Sequence, residues 1–212
     1  MTYAIIGSGA IGAAISRHFD RQGLSVLMAN ASGKASIAAR SQDLGPHVVA
    51  AELSEALKAD VIFLAVPFEA APAIFEGADL QGRIVVDATN ALDWNDFTPL
   101  DLGGRHSTDV IAEVAIGARL VKAMNHNWAK VLARDPADGK GGKHVLFMSG
   151  NEKDAKAEVF ALLEGFGFQV VDLGRTDEGG LLAQFGGPLT TLCLVSQAQG
   201  GASPPQMDLL NP

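Results

Sequence analysis

Tyr3-Ala4-Ile5-Ile6-Gly7-Ser8-Gly9-Ala10-Ile11-Gly12 opens the chain with a short apolar run that meets glycine and passes into helical composition. Its last six residues match GxGxxG, a weak pattern alone that gains meaning between a strand and a helix. Without a Cβ, Gly7 can make the tight turn, Gly9 lets backbone approach a pyrophosphate, and Gly12 packs the helix closely. Free amides and the dipole at the helix N-terminus favour an anion, by about 0.3–1 kcal/mol from the dipole alone. Gly7, Ser8, Gly9, Ala10, Ile11 and Gly12 are therefore expected to hold a dinucleotide.

The pattern continues outward as strand and helix in alternation. The helix from Ala10 runs to Gln22 and stops at Gly23, and Ser25–Ala29 is the next strand. Ser32 is placed to cap a helix reaching about Asp43. His47–Ala50 is a weak strand and Glu52–Lys58 a short helix. Val61–Val66 is a continuous β-rich run, as expected of a strand buried on both faces. Pro67 breaks it, a helix follows to about Glu76, and Arg83–Ala88 is another strand. A long loop reaches about Arg105, and Ser107 or Thr108 starts a helix to about Ile116. Leu120–Met124, Val145–Met148 and Gln169–Asp172 are three further strands, with a helix at Glu152–Gly165. This order predicts an α/β fold: a Rossmann-type, doubly wound, mostly parallel sheet extended by extra strands, with a C-terminal helical segment. One domain is expected over 1–212. Its core dinucleotide fold spans 1–124, the sheet extension and C-terminal helix 125–200, and the tail 201–212. That tail, with Pro204-Pro205, is expected to be mobile unless docked.

Composition narrows the function. With 24 acids against 16 Lys plus Arg, the net charge is −8 and no segment concentrates cations, so nucleic-acid binding is not expected. The single cysteine, Cys193, allows no internal disulfide and no Cys-based zinc site, and its apolar surroundings predict a core position. No metal site is expected. The first basic residue is Arg17, so no signal peptide is indicated and a cytoplasmic protein is expected. The uncharged tract Leu181–Met207 is interrupted at Gly186-Gly187-Pro188, and its unbroken apolar run, Leu192–Val195, is far short of the ~20 residues of a membrane span. It reads as a buried helix, with Leu189–Val195 expected in a dimer interface near the acceptor.

An NAD site usually places Asp or Glu at the end of the second strand. Here no acid lies between Asp20 and Asp43, and the positions offer Asn30, Ser32 and Lys34. A carboxylate there would repel a 2′-phosphate by about 4 kcal/mol at ~4 Å and an effective dielectric of ~20, before screening. Its absence predicts NADP(H). Few side chains offer acid–base chemistry, which suits direct hydride transfer between rings held in register. The only tyrosine, Tyr3, lies in the first strand, which excludes a Tyr-x-x-x-Lys carbonyl reductase. His126 and His106 are the available proton donors, weighed against a surface or loop position for each. Trp94 and Trp128 either stack on a flat acceptor or simply pack.

Over essentially its full length the chain resembles the NADPH-dependent coenzyme F420 reductases, or F420-dependent NADP oxidoreductases. The resemblance rests on Ile5-Ile6-Gly7-Ser8-Gly9-Ala10-Ile11-Gly12, Leu64-Ala65-Val66-Pro67-Phe68, Asp87-Ala88-Thr89-Asn90, Val121-Lys122-Ala123-Met124-Asn125, Ser149-Gly150-Asn151, and Phe166-Gly167-Phe168 leading into Asp172-Leu173-Gly174. It implies a homodimer that passes hydride between NADP and a deazaflavin, and it extends to ferric reductase domains that use flavin. By the same resemblance Ser8 to Ile11 would hold the pyrophosphate, and Asn30 with Ser32 or Lys34 the 2′-phosphate. Val66, Pro67 and Ala70 would line the cofactor, and Asn90 and Asn125 would approach the nicotinamide. The chain departs from the pattern at Asn30-Ala31, where Ser-Arg is common, and at Arg175-Thr176-Asp177-Glu178-Gly179-Gly180, which shapes the acceptor site in the family.

The expected activity is thus NADPH-dependent reduction of a small electron acceptor: F420, FMN or FAD. The alternatives are a non-catalytic NADP(H)-binding redox sensor, or a reductase of another acceptor such as a ferric chelate, imine or carbonyl. Imine, pyrroline-carboxylate and 6-phosphogluconate types add a helical domain of ~100 residues or more, for which this length leaves no room.

Overall fold

The computed structural model describes residues 1–197. The expected tail and residues 198–200 of the expected C-terminal segment lie outside the described residues. Nine strands form one sheet: β1 (Tyr3–Ile6), β2 (Val26–Ala29), β3 (Val48–Ala50), β4 (Val61–Leu64), β5 (Ile84–Asp87), β6 (Arg119–Ala123), β7 (Lys143–Gly150), β8 (Gln169–Asp172) and β9 (Val195–Ser196). Their order is β3-β2-β1-β4-β5-β6-β7-β8, with β9 paired to β7. The first six strands are mutually parallel. β7 then runs antiparallel to β6, and β8 parallel to β7. Winding goes one way from β1 through β2 to β3 and the other way from β4, which opens a crevice at the carboxyl ends of β1 and β4.

The helices are α1 (Ala10–Arg21), α2 (Ala38–Leu44), α3 (Leu53–Ala56), α4 (Ala71–Phe75), α5 (Ser107–Ala112), α6 (Ala129–Leu132), α7 (Lys153–Gly165) and α8 (Leu181–Ala183). Neighbouring strand residues point to opposite faces. Ile5, Phe63 and Val86 join Ile15, Phe19, Val159 and Leu163 in one core. Ile6, Leu64 and Val85 join Ile74, Phe75 and Ile111 in the other. Helices cover both faces, so every residue of β4 and β5 is buried, which is why β4 is a continuous apolar run and β5 is one up to Asp87.

Five expectations are corrected. The helical turn after β2 starts at Lys34 behind Gly33, so Ser32 does not cap it. The fourth strand ends at Leu64 and not Val66. β7 is longer than expected because it pairs at one end with β6 and at the other with β9. The helical part of the C-terminal segment is a π-helical turn at Thr176–Gly180 running into α8, whereas Leu189–Val195 is turn and extended chain. Pro188 and Thr191, which sits at φ 61°, cannot continue a helix, and Leu192 and Leu194 are 41% and 40% exposed. Cys193 lies exposed in this stretch and not in the core, with Sγ 3.7 Å from His144 Nδ1.

Candidate active site

The glycine turn is fixed by close approach. Gly7 has φ 116°, and a methyl there would strike the Ala65 carbonyl at the end of β4. A methyl on Gly12 would strike the Gly7 carbonyl, so α1 leans directly on the turn. Gly7 N donates to Ala29 O at 2.8 Å, tying the turn to β2. At Gly9 an added Cβ meets nothing within 4 Å. That open position, followed by first-turn amides with no side-chain cap and no acid, fits the pyrophosphate of a dinucleotide. A groove of about 270 Å³ runs from Gly9, Ala10 and Ile11 past Val66 and Pro67 to Thr89 and Asn90.

Asn30 organises the loop after β2. Its Nδ2 donates to Ser8 Oγ at 3.2 Å, and its Oδ1 accepts from Ser32 N at 2.9 Å and Ser36 Oγ at 3.1 Å. Ser32 and Lys34 are exposed beside it. Ala70 sits in a 3₁₀ turn at Phe68–Ala70 and does not line the groove. One acid missed in the sequence lies close by. The Glu52 carboxylate, just before α3, comes within 3.6 Å of where a Cβ on Gly33 would stand. Its place after the third strand put it outside the window in which an acid was sought.

Beyond the groove lies a second cavity of about 240 Å³. The two share Ala10, Ile11, Asn90 and Trp94. Leu92, Phe97, Trp128 and Phe185 complete its apolar wall. Trp94 and Phe97 are carried by a tight excursion of the chain, closed by Asp93 N to Thr98 O at 2.8 Å and Leu100 N to Ala91 O at 3.1 Å. Their rings meet edge to face at 6.0 Å. Phe97, Phe185, Asn127, Thr190 and Thr191 are lining residues that sequence reasoning did not reach, since no periodicity marks a loop wall.

Asn90 and Asn125 clamp each other at the junction. Asn90 Nδ2 donates to Asn125 O at 2.9 Å, and Asn125 Nδ2 donates to Asn90 Oδ1 at 3.2 Å and Ala183 O at 2.9 Å. The Ala183 carbonyl can only accept, so the Asn125 amide is fixed with its nitrogen on that side. Asn125 Oδ1 and Asn127 Oδ1 are buried without a hydrogen-bond partner among the described residues. Leaving such an acceptor unpaired costs about 1–3 kcal/mol. The three non-glycine residues with positive φ among the described residues are Phe97 (59°), Met124 (62°) and Thr191 (61°). Two line this cavity and the third precedes Asn125.

The histidines are not at the surface. His126 lines the cavity, is 2% exposed, and accepts from Asn127 Nδ2 at 2.9 Å. Burial, opposed by the Val145 backbone, lowers its pKa to about 4, so the ring is neutral near pH 7. His106 is 1% exposed and lines neither cavity. Its Nδ1 accepts from Thr108 N at 3.2 Å at the start of α5, and burial lowers its pKa. Neither ring is an imidazolium available to give up a proton at neutral pH.

Below the junction lies a buried ion pair. Lys122 on β6 stands opposite Asp87 on β5, with Nζ 3.0 Å from Oδ2. Nζ also donates to Thr89 O at 2.6 Å and Ser107 Oγ at 3.3 Å. Asp87 accepts from Thr108 Oγ1 at 2.6 Å, Thr89 Oγ1 at 2.7 Å and Thr89 N at 2.9 Å. Burial opposes its charge, but the ammonium and these donors outweigh it and hold the carboxyl below its usual range. The network fixes the turn that carries Asn90. A Lys within one apolar strand and an Asp ending another were its visible signs.

A family model described as NADP oxidoreductase, coenzyme F420-dependent, matches residues 2–91. A hypothetical protein from Sinorhizobium meliloti is 45% identical, over 93% of this chain and 96% of its own, with a TM-score of 0.89. A protein from Arthrobacter sp. FB24, provisionally described as an F420-dependent NADP reductase, is 27% identical over 85% of this chain and 88% of its own, with a TM-score of 0.70. A reductive aminase from Aspergillus terreus, solved with NADPH4, is similar in fold. It is 20% identical over 84% of this chain and 56% of its own, with a TM-score of 0.59. No curated protein matches the chain.

Proposed function

The chain belongs to the family of F420-dependent NADP oxidoreductases, and from that premise we propose that it reduces a deazaflavin or flavin ring with NADPH. It is an NADP-dependent oxidoreductase. The observation that carries the proposed acceptor class is the junction, where the glycine-turn groove and the aromatic-walled cavity share Ala10, Ile11, Asn90 and Trp94. When bound, NADPH supplies a hydride to the acceptor, and solvent supplies the accompanying proton.

The protein's own part is positioning. Gly9 and the free amides of α1 would hold the pyrophosphate, and the exposed Ser32 and Lys34 would hold the 2′-phosphate. The Asn90–Asn125 clamp would stand at the nicotinamide edge, and Trp94 and Trp128 would flank a flat acceptor. No side-chain acid is required, which accords with two neutral histidines. Loss of the reduced-nicotinamide absorbance with F420, FMN, FAD and ferric chelates in turn tests this reading. Turnover with a deazaflavin or flavin is expected. Tight NADPH binding with no turnover on any acceptor would instead favour a redox sensor.

Homodimerisation belongs to the same proposal. Leu182, Leu192 and Leu194 leave apolar area exposed beside the Thr190–Thr191 wall of the cavity. Light scattering at micromolar concentration should give twice the chain mass, and a monomer would remove the partner from the site.

A further inference from the structure

Part of the cavity wall stands on a single helical turn, and what grips that turn lies on α1. Trp128 is the N-terminal cap of α6, and Trp128 and Ala129 both line the aromatic-walled cavity. A helix of four residues has no stability of its own, so its place is set by its neighbours. The carbonyls at its end have no partner within the helix. Two side chains one turn apart on α1 take three of them in succession. His18 Nε2 donates to Leu132 O at 2.6 Å, and Arg21 donates from Nη2 to Ala133 O at 2.7 Å and from Nη1 to Arg134 O at 2.9 Å. Leu132 O can only accept, which fixes the His18 tautomer and leaves Nδ1 facing Arg21 Nη1 at 3.4 Å. The His18 ring is 1% exposed and packs against Phe166 and Phe168, with centroids at 5.8 Å and 4.9 Å. Arg21 is exposed, so water can take over its carbonyls when it is removed.

The same α1 begins at the cofactor groove. Ala10 and Ile11, in its first turn, line both the groove and the cavity. His18 and Arg21 follow Ile11 along the helix by about 10 Å and about 15 Å at 1.5 Å per residue. One rigid element thus meets the dinucleotide at its start and holds α6 from its end. On the other side of Trp128, the chain is tied by Thr191 N to His126 O at 2.6 Å. We propose that Arg21 is a positioning residue for the acceptor: through the carbonyls that end α6, it keeps Trp128 and Ala129 in register with the dinucleotide groove. Arg21 lines neither cavity, so it acts only through α6. The proposal rests on the reductase reading and adds to it how the spacing of the two rings is kept.

The test uses the full chain labelled with 5-fluorotryptophan. Trp94 and Trp128 are both tryptophans of the chain, so two fluorine resonances are expected, and Trp94→Phe assigns them. Arg21→Met keeps most of the stem and removes every donor. Its urea midpoint should stay near that of the wild type, and its NADPH dissociation constant should stay within about twofold. The Trp128 resonance should shift or broaden, and that of Trp94 should move less. With F420 or FMN, whichever the wild type reduces, kcat/KM for the acceptor should fall about tenfold at saturating NADPH, since a small misplacement of one ring slows transfer steeply. Arg21→Lys keeps charge and stem but cannot span two carbonyls. It should show the same split to a smaller degree, and it carries the comparison if Arg21→Met loses stability. An unmoved Trp128 resonance, an unchanged kcat/KM for the acceptor, or equal losses toward NADPH and acceptor overturns the proposal. If the wild type reduces neither F420 nor FMN, the reductase reading fails, and the Trp128 resonance alone decides whether Arg21 places the wall.

Discussion

Gly9 and Gly12 stand three residues apart and make opposite demands. Gly12→Ala drives a methyl into the Gly7 carbonyl and should lower stability by about 1–3 kcal/mol, read as a shifted urea midpoint. Gly9→Ala meets open space and should leave that midpoint nearly unchanged while weakening NADPH binding, measured by calorimetry. If both lost stability equally, Gly9 would be part of the packing and not of the cradle. Lys122 presents a different case. Lys122→Met leaves the Asp87 carboxylate buried without its cation, so unfolding should become easier by about 3–5 kcal/mol. Adding Asp87→Asn should recover part of that loss, a coupling visible in a double-mutant cycle.

The α1–α6 contact gives a pH dependence. His18 on α1 donates from Nε2 to Leu132 O on α6 at 2.6 Å, while Nδ1 faces the Arg21 guanidinium at 3.4 Å. Burial lowers its pKa to about 4, and a second proton would be placed beside Arg21. The folded state thus holds His18 neutral, whereas the unfolded chain protonates it near 6.5. Between those values the unfolded state binds more protons, so stability is full above about pH 6.5 and falls as pH drops toward 4. The loss is on the order of 3 kcal/mol for His18 alone, and urea midpoints at pH 7 and pH 5 should show its onset. His18→Phe should flatten the slope. Elements of this kind divide what the sequence could disclose. β1, α1, β4 and β5 were legible because one face or both are buried, and burial writes periodicity into the chain. The cavity wall was not, because Phe97, Phe185 and Thr191 come together from separate loops whose residues obey no repeat. The stretch Leu189–Val195 misled for a related reason: it lacks charge, but absence of charge is not a helical face.

Across the whole molecule the net charge of −8 says little about where an anionic cofactor lands. What matters is the small set of charges at the mouth of the groove, where Lys34 and Glu52 flank Gly33 in opposite sense. Glu52→Gln should raise NADPH affinity a few-fold and leave NADH nearly unaffected, measured as dissociation constants at one ionic strength. An equal gain for both would place Glu52 away from the 2′ position. Backbone strain gathers around the aromatic-walled cavity. Phe97, Met124 and Thr191 each hold a left-handed conformation whose backbone strain glycine would not carry; Phe97 and Thr191 line one cavity and Met124 precedes its lining residue Asn125. At Phe97 and Thr191, which are exposed, glycine would relieve that strain at little packing cost, whereas at buried Met124 it would open a hole in the core. The side chains that stand there shape the rim of the cavity at a cost in durability.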